Sequence, residues 1–220
     1  MSNDRLTIGA LIYPGFEMLD IFGPLEMFSM LGSDLVQIVM VAQTKDPVPS
    51  GIVQNLTEGP RSSVDCTFNS ADQFDVLLVP GGFGTLPQLE NEAVMAFLRR
   101  QAEGAKYVCS VCTGSLLLAR AGLLEGRRAT TNKQLFGLTA AESAGVTWVE
   151  QARWVEDDSI FTSSGVSAGM DMSLAIICQL FGEDSAIAAA NAAEYIWHRR
   201  ADDDPFLEHL NEGAKLLGLE

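Results

Sequence analysis

The chain has 220 residues, 47% of them hydrophobic, so it is long enough to bury a substantial core in one domain. Its formal net charge of −15 at pH 7 argues against nucleic acid or an anionic membrane as a partner, because both attract basic surfaces. No apolar stretch is long enough to span a membrane and no export signal is evident, so we expect a cytoplasmic protein with four reduced cysteines.

The predicted elements alternate between apolar strands and amphipathic helices, an order typical of an α/β fold with a mostly parallel sheet. The predicted strands are residues 6–13, 36–42, 74–79, 107–111, 128–132, 146–154 and 160–163. One predicted helix begins after Asp20, and the others cover residues 91–105, 116–121, 133–144, 170–181, 186–197 and 206–217. Residues 43–72 predict loops with one or two short edge strands.

Asp20 follows the first predicted strand, which ends at Pro14 and Gly15. An aspartate directly before an apolar helical pattern is most simply an N-cap, with Pro24 tolerated in the first turn. A carboxylate after the first strand of an α/β sheet also lies at the edge where strand C-termini gather and ligands bind. Both interpretations of Asp20 stay open at this stage, and Glu17 comes from the same edge.

Two turns of small residues are further candidates for the binding site. Gly81 and Gly82 follow Pro80 at the end of the third core strand, and adjacent glycines let backbone amides approach a ligand and donate to an oxyanion. A plain tight turn is the alternative. Ser164 and Gly165 belong to a similar turn before the helix predicted at residues 170–181.

Cys112 stands at the joint between a predicted strand and a predicted helix. A nucleophile on such a turn projects above the sheet beside the amides of the helix N-terminus, which favours a thiolate with a lowered pKa. Gly114 permits the sharp turn, and Thr113 and Ser115 are candidate helix caps. A buried cysteine that only packs at an ordinary corner is the alternative interpretation.

Other cysteine chemistries fit the sequence less well. Cys109 and Cys112 have C-x-x-C spacing, but three extended residues would hold their Cα atoms roughly 10 Å apart, beyond disulfide reach. No histidine lies near a cysteine in sequence, so no metal and no cofactor are expected. His198 and His209 are interpreted as surface or interface residues. An acid such as Asp20, kept protonated by burial, could instead donate to the Cys112 thiolate.

Five segments together resemble the ThiJ/PfpI superfamily, and within it most closely the isonitrile (isocyanide) hydratase branch. They are residues 19–24 (LDIFGP), 79–82 (VPGG), 110–115 (SVCTGS), 128–131 (RATT) and 164–171 (SGVSAGMD). The resemblance implies one domain over residues 1–220 with a flavodoxin-like, doubly wound, mostly parallel sheet flanked by helices. The family core then covers about residues 6–183, and residues 184–220 form a C-terminal helical extension.

The resemblance also implies a function, the cysteine-dependent hydration of isonitriles to N-substituted formamides by a homodimer. Cys112 is then the nucleophile and Asp20 the acid paired with it. Thr113 closes the pocket floor, and amides near Gly82 and Thr113 bind the developing anion. Many relatives have histidine after the paired threonines, where this chain has Asn132, which forms hydrogen bonds but is no base near neutral pH. That difference counts against histidine-dependent hydrolysis.

Apolar residues near the expected site, Phe22, Phe83 and Val166, favour a small uncharged substrate. Two other functions stay open: a glyoxalase-like or amide-directed cysteine enzyme of the same superfamily, and a non-catalytic thiol sensor or ligand-binding protein. A transcription regulator is not expected, because the chain is acidic and little of it follows residue 183.

Overall fold

A computed structural model of the chain describes residues 5–52 and 57–216, with the backbone alone at residues 215 and 216. The strands are β1 Leu6–Leu11, β2 Val36–Ala42, β3 Val48–Pro49, β4 Arg61–Ser62, β5 Cys66–Thr67, β6 Val76–Val79, β7 Tyr107–Val111, β8 Arg128–Ala129, β9 Thr147–Trp148, β10 Trp154–Asp157 and β11 Ile160–Ser163. The α-helices are α1 Met18–Ser29, α2 Thr85–Gln88, α3 Glu92–Ala102, α4 Gly114–Arg120, α5 Phe136–Ala141, α6 Ala168–Phe181, α7 Glu183–Ala192 and α8 Glu212–Leu216. Short 3₁₀ helices cover Lys133–Leu135 and Leu207–His209.

The main sheet has the strand order β10-β11-β7-β6-β1-β2-β5. Its neighbouring strands are parallel except β10 and β11, which form an antiparallel hairpin at one edge. The pairs β3–β4 and β8–β9 form two separate small sheets. The predicted doubly wound, mostly parallel sheet is therefore confirmed. Residues 43–72, predicted to contain one or two short edge strands, contain β3, β4 and β5, of which β5 lies at the edge of the main sheet. Residues 53–56 of that segment lie outside the described residues.

The central strands are buried on both faces, as their continuous apolar sequences predict. Ile8 of β1, Leu77 of β6, Val111 of β7 and Phe161 of β11 are fully enclosed. Helices α1, α6 and α7 pack together as one group, and α2, α3 and α4 form another. Because β1, β6 and β7 run parallel, their C-terminal ends bring Asp20, Gly81 and Cys112 to one edge of the sheet.

Several predicted boundaries are wrong, and tertiary contacts explain the clearest case. Residues 149–153 are not part of a strand, because Arg153 N–H bonds to Ala201 O and Gln151 O accepts from Asp204 N–H, which directs this backbone toward the C-terminal segment. The acidic residues 156–158 between the last two predicted strands predict a turn, but Glu156 and Asp157 belong to β10 and the tight turn contains Asp158 at φ 58°.

The helix boundaries also differ from the predictions. The segment predicted as one helix at residues 133–144 is a 3₁₀ turn followed by α5, and the helix predicted at residues 186–197 is α7, which ends at Ala192. The predicted helix at residues 206–217 is represented by a 3₁₀ turn and α8, and residue 217 lies outside the described residues.

Candidate active site

Cys112 occupies a strained turn between β7 and α4. Its φ is 58°, in a region that costs a non-glycine residue about 1–3 kcal/mol. Three hydrogen bonds hold this conformation: Cys112 N–H donates to Ser164 O at 3.1 Å, and the hydroxyls of Thr131 and Ser115 donate to Cys112 O at 3.0 and 3.1 Å. The sharp strand-to-helix turn predicted from sequence is present, and the surrounding loops keep its nucleophile candidate in one place.

Two details of the predicted turn are corrected. The residue with positive φ is Cys112, not Gly114. Gly114 is needed because a Cβ there would collide with Val79 O. Thr113 occupies the N-cap position of α4 but makes no side-chain capping bond, and Ser115 donates backward to Cys112 O instead of capping.

The Cys112 sulfur receives two hydrogen bonds. Asn132 Nδ2 donates to Sγ at 3.1 Å, and the Thr113 backbone amide also bonds to the thiol. The Asn132 side chain is fixed from its other end, since its Oδ1 accepts from Leu135 N–H at 3.1 Å. Gly165 packs against this amide, because a Cβ at Gly165 would lie 2.6 Å from Asn132 Nδ2. Asn132 and Gly165, both named from sequence, therefore meet at the thiol.

The resting state of Cys112 differs from the thiolate expected from sequence. Burial raises the pKa of the thiol, and the nearby Asp20 carboxyl raises it further. The hydrogen bonds from Thr113 and Asn132 lower the pKa but do not offset burial. Cys112 is therefore a neutral thiol at rest, and its two donors are poised to stabilise negative charge when the proton leaves.

Asp20 is fully buried in the first turn of α1, not at its N-cap, which is Glu17. Pro24 accordingly lies inside the helix. Asp20 Oδ2 accepts from Gly81 N–H at 2.8 Å, while Oδ1 has no hydrogen-bond partner among the described residues. Burial raises the pKa of Asp20 well above its usual value, the Gly81 hydrogen bond lowers it, and Glu17 raises it. Burial thus favours the protonated form of Asp20, and one of its oxygens has no hydrogen-bond partner among the described residues.

Gly81 brings Asp20 and Cys112 together. A Cβ at Gly81 would lie 2.5 Å from Thr113 N and 3.0 Å from Cys112 Cβ, so only glycine lets the backbone pass this close to the turn at Cys112. The same residue donates its amide to Asp20. The acid and the thiol therefore lie on either side of one glycine.

The Gly82 amide, expected as an oxyanion donor, has a partner already. It donates to Thr113 Oγ1 at 3.1 Å, and that hydroxyl also bonds to Thr85 Oγ1 at 3.0 Å. Tyr13 extends the chain by bonding to Thr85 Oγ1 at 3.1 Å and donating to Pro80 O at 2.6 Å. This network fixes Thr113 beside the thiol. Sequence reasoning missed the site roles of Tyr13 and Thr85, because hydroxyl residues carry no motif of their own.

A buried group of charges lies beneath the Asn132 loop. The Lys133 ammonium donates to Thr130 Oγ1 and Ala152 O and lies 3.5 Å from Asp204 Oδ2. Burial lowers the pKa of Lys133 to about 8, although Asp204 acts in the opposite direction. The acidic segment at residues 201–205 predicts a solvated turn, but that prediction is wrong for Asp204, because its carboxyl is enclosed.

This charged group continues to a second buried pair. Arg153 Nη1 lies 3.6 Å from Asp204 Oδ1, and Arg153 donates through Nε to Asp171 Oδ2 at 2.9 Å. Asp171 Oδ1 accepts from Tyr195 Oη and from His198 N–H. The four charges alternate in sign, and they attach the C-terminal segment to the loops around the site.

The two histidines do not contact the thiol. His198 Nε2 lies 2.7 Å from Asp203 O, and His209 pairs with Glu212 at 2.9 Å. Both therefore form contacts within the C-terminal segment. Among the described residues, no group of three or more His, Cys, Asp or Glu could hold a metal ion, and no helix is long and apolar enough to cross a membrane.

A cavity of about 760 Å³ opens onto Cys112, Thr113, Gly82 and Asn132. Glu17 lines it, with a pKa that burial raises and backbone hydrogen bonds lower. Phe83 and Val166 line it as expected, but Phe22 does not and is half exposed on α1. Five leucines supply much of its remaining surface: Leu86, Leu89, Leu116, Leu135 and Leu138.

Comparison with known proteins agrees with the resemblance seen in the sequence. The model of the DJ-1/PfpI family matches residues 7–179. Isonitrile hydratase of Pseudomonas putida is 38% identical over 190 residues, covering 86% of this chain and 78% of the relative. A deglycase of Thermococcus kodakarensis is 30% identical over 138 residues, covering 62% and 76%. The crystal structure of a THiJ/PfpI family protein from Pseudomonas syringae superimposes with a TM-score of 0.77 at 33% identity, covering 91% of this chain and 77% of that one.

Proposed function

The chain belongs to the DJ-1/PfpI family, and we propose that it hydrates isonitriles, R–N≡C, to N-substituted formamides. The observation that carries the proposal is the position of the Cys112 thiol and the buried Asp20 carboxyl on either side of Gly81, where burial raises the pKa of both groups. No histidine takes part in this pair, and isonitrile hydration needs only a nucleophile and an acid that can return its proton. The 38% identity to the Pseudomonas putida isonitrile hydratase supports this choice of reaction.

The first half of the proposed reaction forms a thioimidate. Cys112 Sγ bonds to the terminal carbon of the isonitrile, and Asp20 transfers its proton to the same carbon. The thiol proton passes to the Asp20 carboxylate, so the products are R–N=CH–S–Cys112 and a neutral Asp20. Oδ1 of Asp20 is suited to this exchange, because Oδ2 is engaged by the Gly81 amide. Asn132 and Thr113 N–H stabilise the sulfur as its proton leaves.

The second half releases the product. Asp20 donates its proton to the thioimidate nitrogen, and the resulting carboxylate accepts a proton from the water that adds to the carbon, which gives R–NH–CH(OH)–S–Cys112 and a neutral Asp20. The carbon–sulfur bond then breaks as Asp20 donates its proton to the departing sulfur and accepts the proton of the new hydroxyl, which restores the thiol. The sum is R–N≡C plus water giving R–NH–CHO, with both residues unchanged.

Turnover of phenyl isonitrile, followed by ultraviolet absorbance, tests this proposal. We expect Cys112→Ala to abolish formamide production and Asp20→Asn to lower kcat by about 10²–10⁴-fold, the usual contribution of a general acid. Cys178→Ala is the matched control, because it removes a thiol on α6 that does not line the cavity. Full activity in Cys112→Ala would overturn the reaction scheme.

A second variant separates the two candidate acids. Glu17 lines the cavity and also has a raised pKa, whereas Asp20 is the carboxyl that is coupled to Cys112 through Gly81. Glu17→Gln should therefore lower kcat far less than Asp20→Asn. The reverse ranking would move the acid role to Glu17.

A carbonyl substrate is the second candidate, because the Thermococcus kodakarensis relative is a deglycase. Methylglyoxal consumption without formamide production would favour it. A thiol sensor is less well supported, since oxidation needs thiolate and the Cys112 thiol is 6% exposed with a raised pKa.

We propose in addition that the protein acts as a homodimer in the cytoplasm. Leu19 and Phe22 expose apolar surface on α1, which a second copy could cover. The four cysteines are free thiols, which suits a reducing compartment. Sedimentation velocity of the wild type and of Phe22→Glu checks the dimer, which the charge should weaken.

A further inference from the structure

Lys133 is a buried lysine to which the proposed reaction gives no role. Its side chain is 1% exposed and does not line the cavity above Cys112. The ammonium has three protons and three protein acceptors, which are Thr130 Oγ1 at 2.9 Å, Ala152 O at 2.8 Å and Thr131 O at 3.4 Å. Lysine is rarely buried without such partners, so the fold holds this charge in one defined place.

Two of these acceptors belong to the loop that holds Cys112. Thr131, whose carbonyl oxygen accepts from Lys133, donates its own hydroxyl to Cys112 O at 3.0 Å. Asn132, which lies between Thr131 and Lys133 in the chain, donates to Cys112 Sγ at 3.1 Å. The Lys133 side chain therefore folds back along residues 130–132 and fixes the backbone from which both hydrogen bonds to Cys112 originate.

Charges on other segments determine whether Lys133 keeps its proton. Asp204 Oδ2, on the C-terminal segment, lies 3.5 Å from Lys133 Nζ and favours the ammonium. Glu150 also favours it, whereas Arg153, which lies 3.6 Å from the other Asp204 oxygen, disfavours it. The Phe136 ring centre lies 5.7 Å from Nζ, at cation–π distance. Asp204 is thus the nearest charge that supports the ammonium.

The charged form of Lys133 fits its surroundings better than the neutral form. An ammonium donates to all three acceptors, whereas a neutral amine has two protons and leaves one buried acceptor unpaired. Burial lowers the pKa of Lys133 to about 8, and Asp204 acts in the opposite direction. His209 and Glu212, on the two short helices that contact the 3₁₀ turn at residues 133–135, pair with each other. Lys133 therefore loses its proton within the pH range of ordinary assays.

We propose that Lys133 is a positioning residue for the reaction at Cys112: its charged side chain fixes residues 130–132, so that Asn132 and the Thr131 hydroxyl stay bonded to the turn. Lys133 does not touch the reacting atoms and acts mainly through Asn132. The inference rests on the proposed hydration for its kinetic effects, and it also predicts a spectroscopic change that does not depend on turnover.

A double-mutant cycle with phenyl isonitrile tests the route through Asn132. Lys133→Met/Asp204→Asn removes one charge of each sign and leaves Arg153 paired with Asp171. We expect it to lower kcat about 10-fold with little change in KM, because Asn132 acts as charge develops on sulfur. In an Asn132→Ala background the same two changes should lower kcat by less than about 3-fold. Equal losses in both backgrounds, or no loss in either, overturn the proposal.

A pH profile tests the charge of Lys133. Asp204→Asn removes the carboxylate that favours the ammonium, so the fall in kcat that accompanies loss of the lysine proton should move about one pH unit lower. Asp202→Asn is the matched control, because it removes an exposed acid from the same segment and should leave the profile unchanged. The titration of Asp20 is common to all three proteins. An unmoved profile in Asp204→Asn, or the same shift in both variants, overturns the proposal.

An NMR titration of the wild type requires neither turnover nor a folded Lys133 variant. The Asn132 side-chain amide is assigned in an ¹⁵N-HSQC spectrum by its absence from the spectrum of Asn132→Ala. Its chemical shift in the wild type should change with a midpoint near the Lys133 pKa of about 8. A shift that does not change with pH overturns the positioning role. The expected titration without conversion of any isonitrile supports the positioning role and overturns the hydration alone.

Discussion

The Asn132 side chain should contribute to catalysis through its hydrogen bond to Cys112 and to stability through its hydrogen bond from Leu135 N–H. Asn132→Ala removes the 3.1 Å donor to Sγ and also the Oδ1 acceptor that caps the 3₁₀ turn through Leu135 N–H. A hydrogen bond to a charged group is worth about 1.5–3 kcal/mol, which predicts a loss of roughly 10–150-fold in kcat/KM when sulfur carries charge. The lost cap should lower the free energy of unfolding by about 1 kcal/mol.

Asn132→Asp separates the two effects. Aspartate keeps an oxygen to cap Leu135 N–H, so the stability loss should be small. It replaces the donor to sulfur with a carboxylate, which should raise the Cys112 thiol pKa and lower kcat/KM more than alanine does. The thiol pKa is measured from the pH dependence of iodoacetamide alkylation, with the Cys112 peptide quantified by mass spectrometry so that the other cysteines do not interfere. Urea denaturation gives the stability.

Unchanged kcat/KM in both variants would refute the reasoning, because the hydrogen bond would then contribute nothing as charge develops on sulfur. Loss of activity with an unchanged thiol pKa would show that Asn132 acts on the substrate and not on the thiol.

Three further outcomes are expected. Asp20→Asn should become more stable than the wild type as pH rises, because the native pKa of Asp20 is raised. The wild type then loses about 1.4 kcal/mol of unfolding free energy per pH unit between the unfolded pKa of about 4 and the native pKa. Urea titrations of both proteins at several pH values check this, and the same pH dependence of stability in both would contradict it. Lys133→Met should cost up to about 3–5 kcal/mol by removing one of the two cations that face the buried Asp204 carboxyl, the other being Arg153. Lys133→Met/Asp204→Asn should recover part of that loss in the same urea assay. Gly81→Ala should lower the free energy of unfolding by about 1–3 kcal/mol and also lower turnover, since the new Cβ would lie 2.5 Å from Thr113 N. An unchanged melting temperature in the variant would exclude this clash.

The sequence alone was sufficient for the elements whose signals are local. The apolar runs of β1, β2, β6 and β7 and the position of Cys112 between β7 and α4 depend on neighbouring residues, so their patterns predict them. The family motifs then led to the sheet topology.

Tertiary structure decided how the site residues interact. Asp20 accepts a hydrogen bond from Gly81, 61 residues away, and Asn132 donates one to Cys112, 20 residues away. No local sequence pattern therefore distinguishes an aspartate that pairs with the turn at Cys112 from one that caps a helix. The same holds for the buried pair of Lys133 and Asp204, because the acidic neighbours of Asp204 predict a solvated turn. Burial, which raises the pKa of both Cys112 and Asp20, depends on everything packed around them, and for that reason only the folded chain shows that it acts on the thiol as well as on the acid.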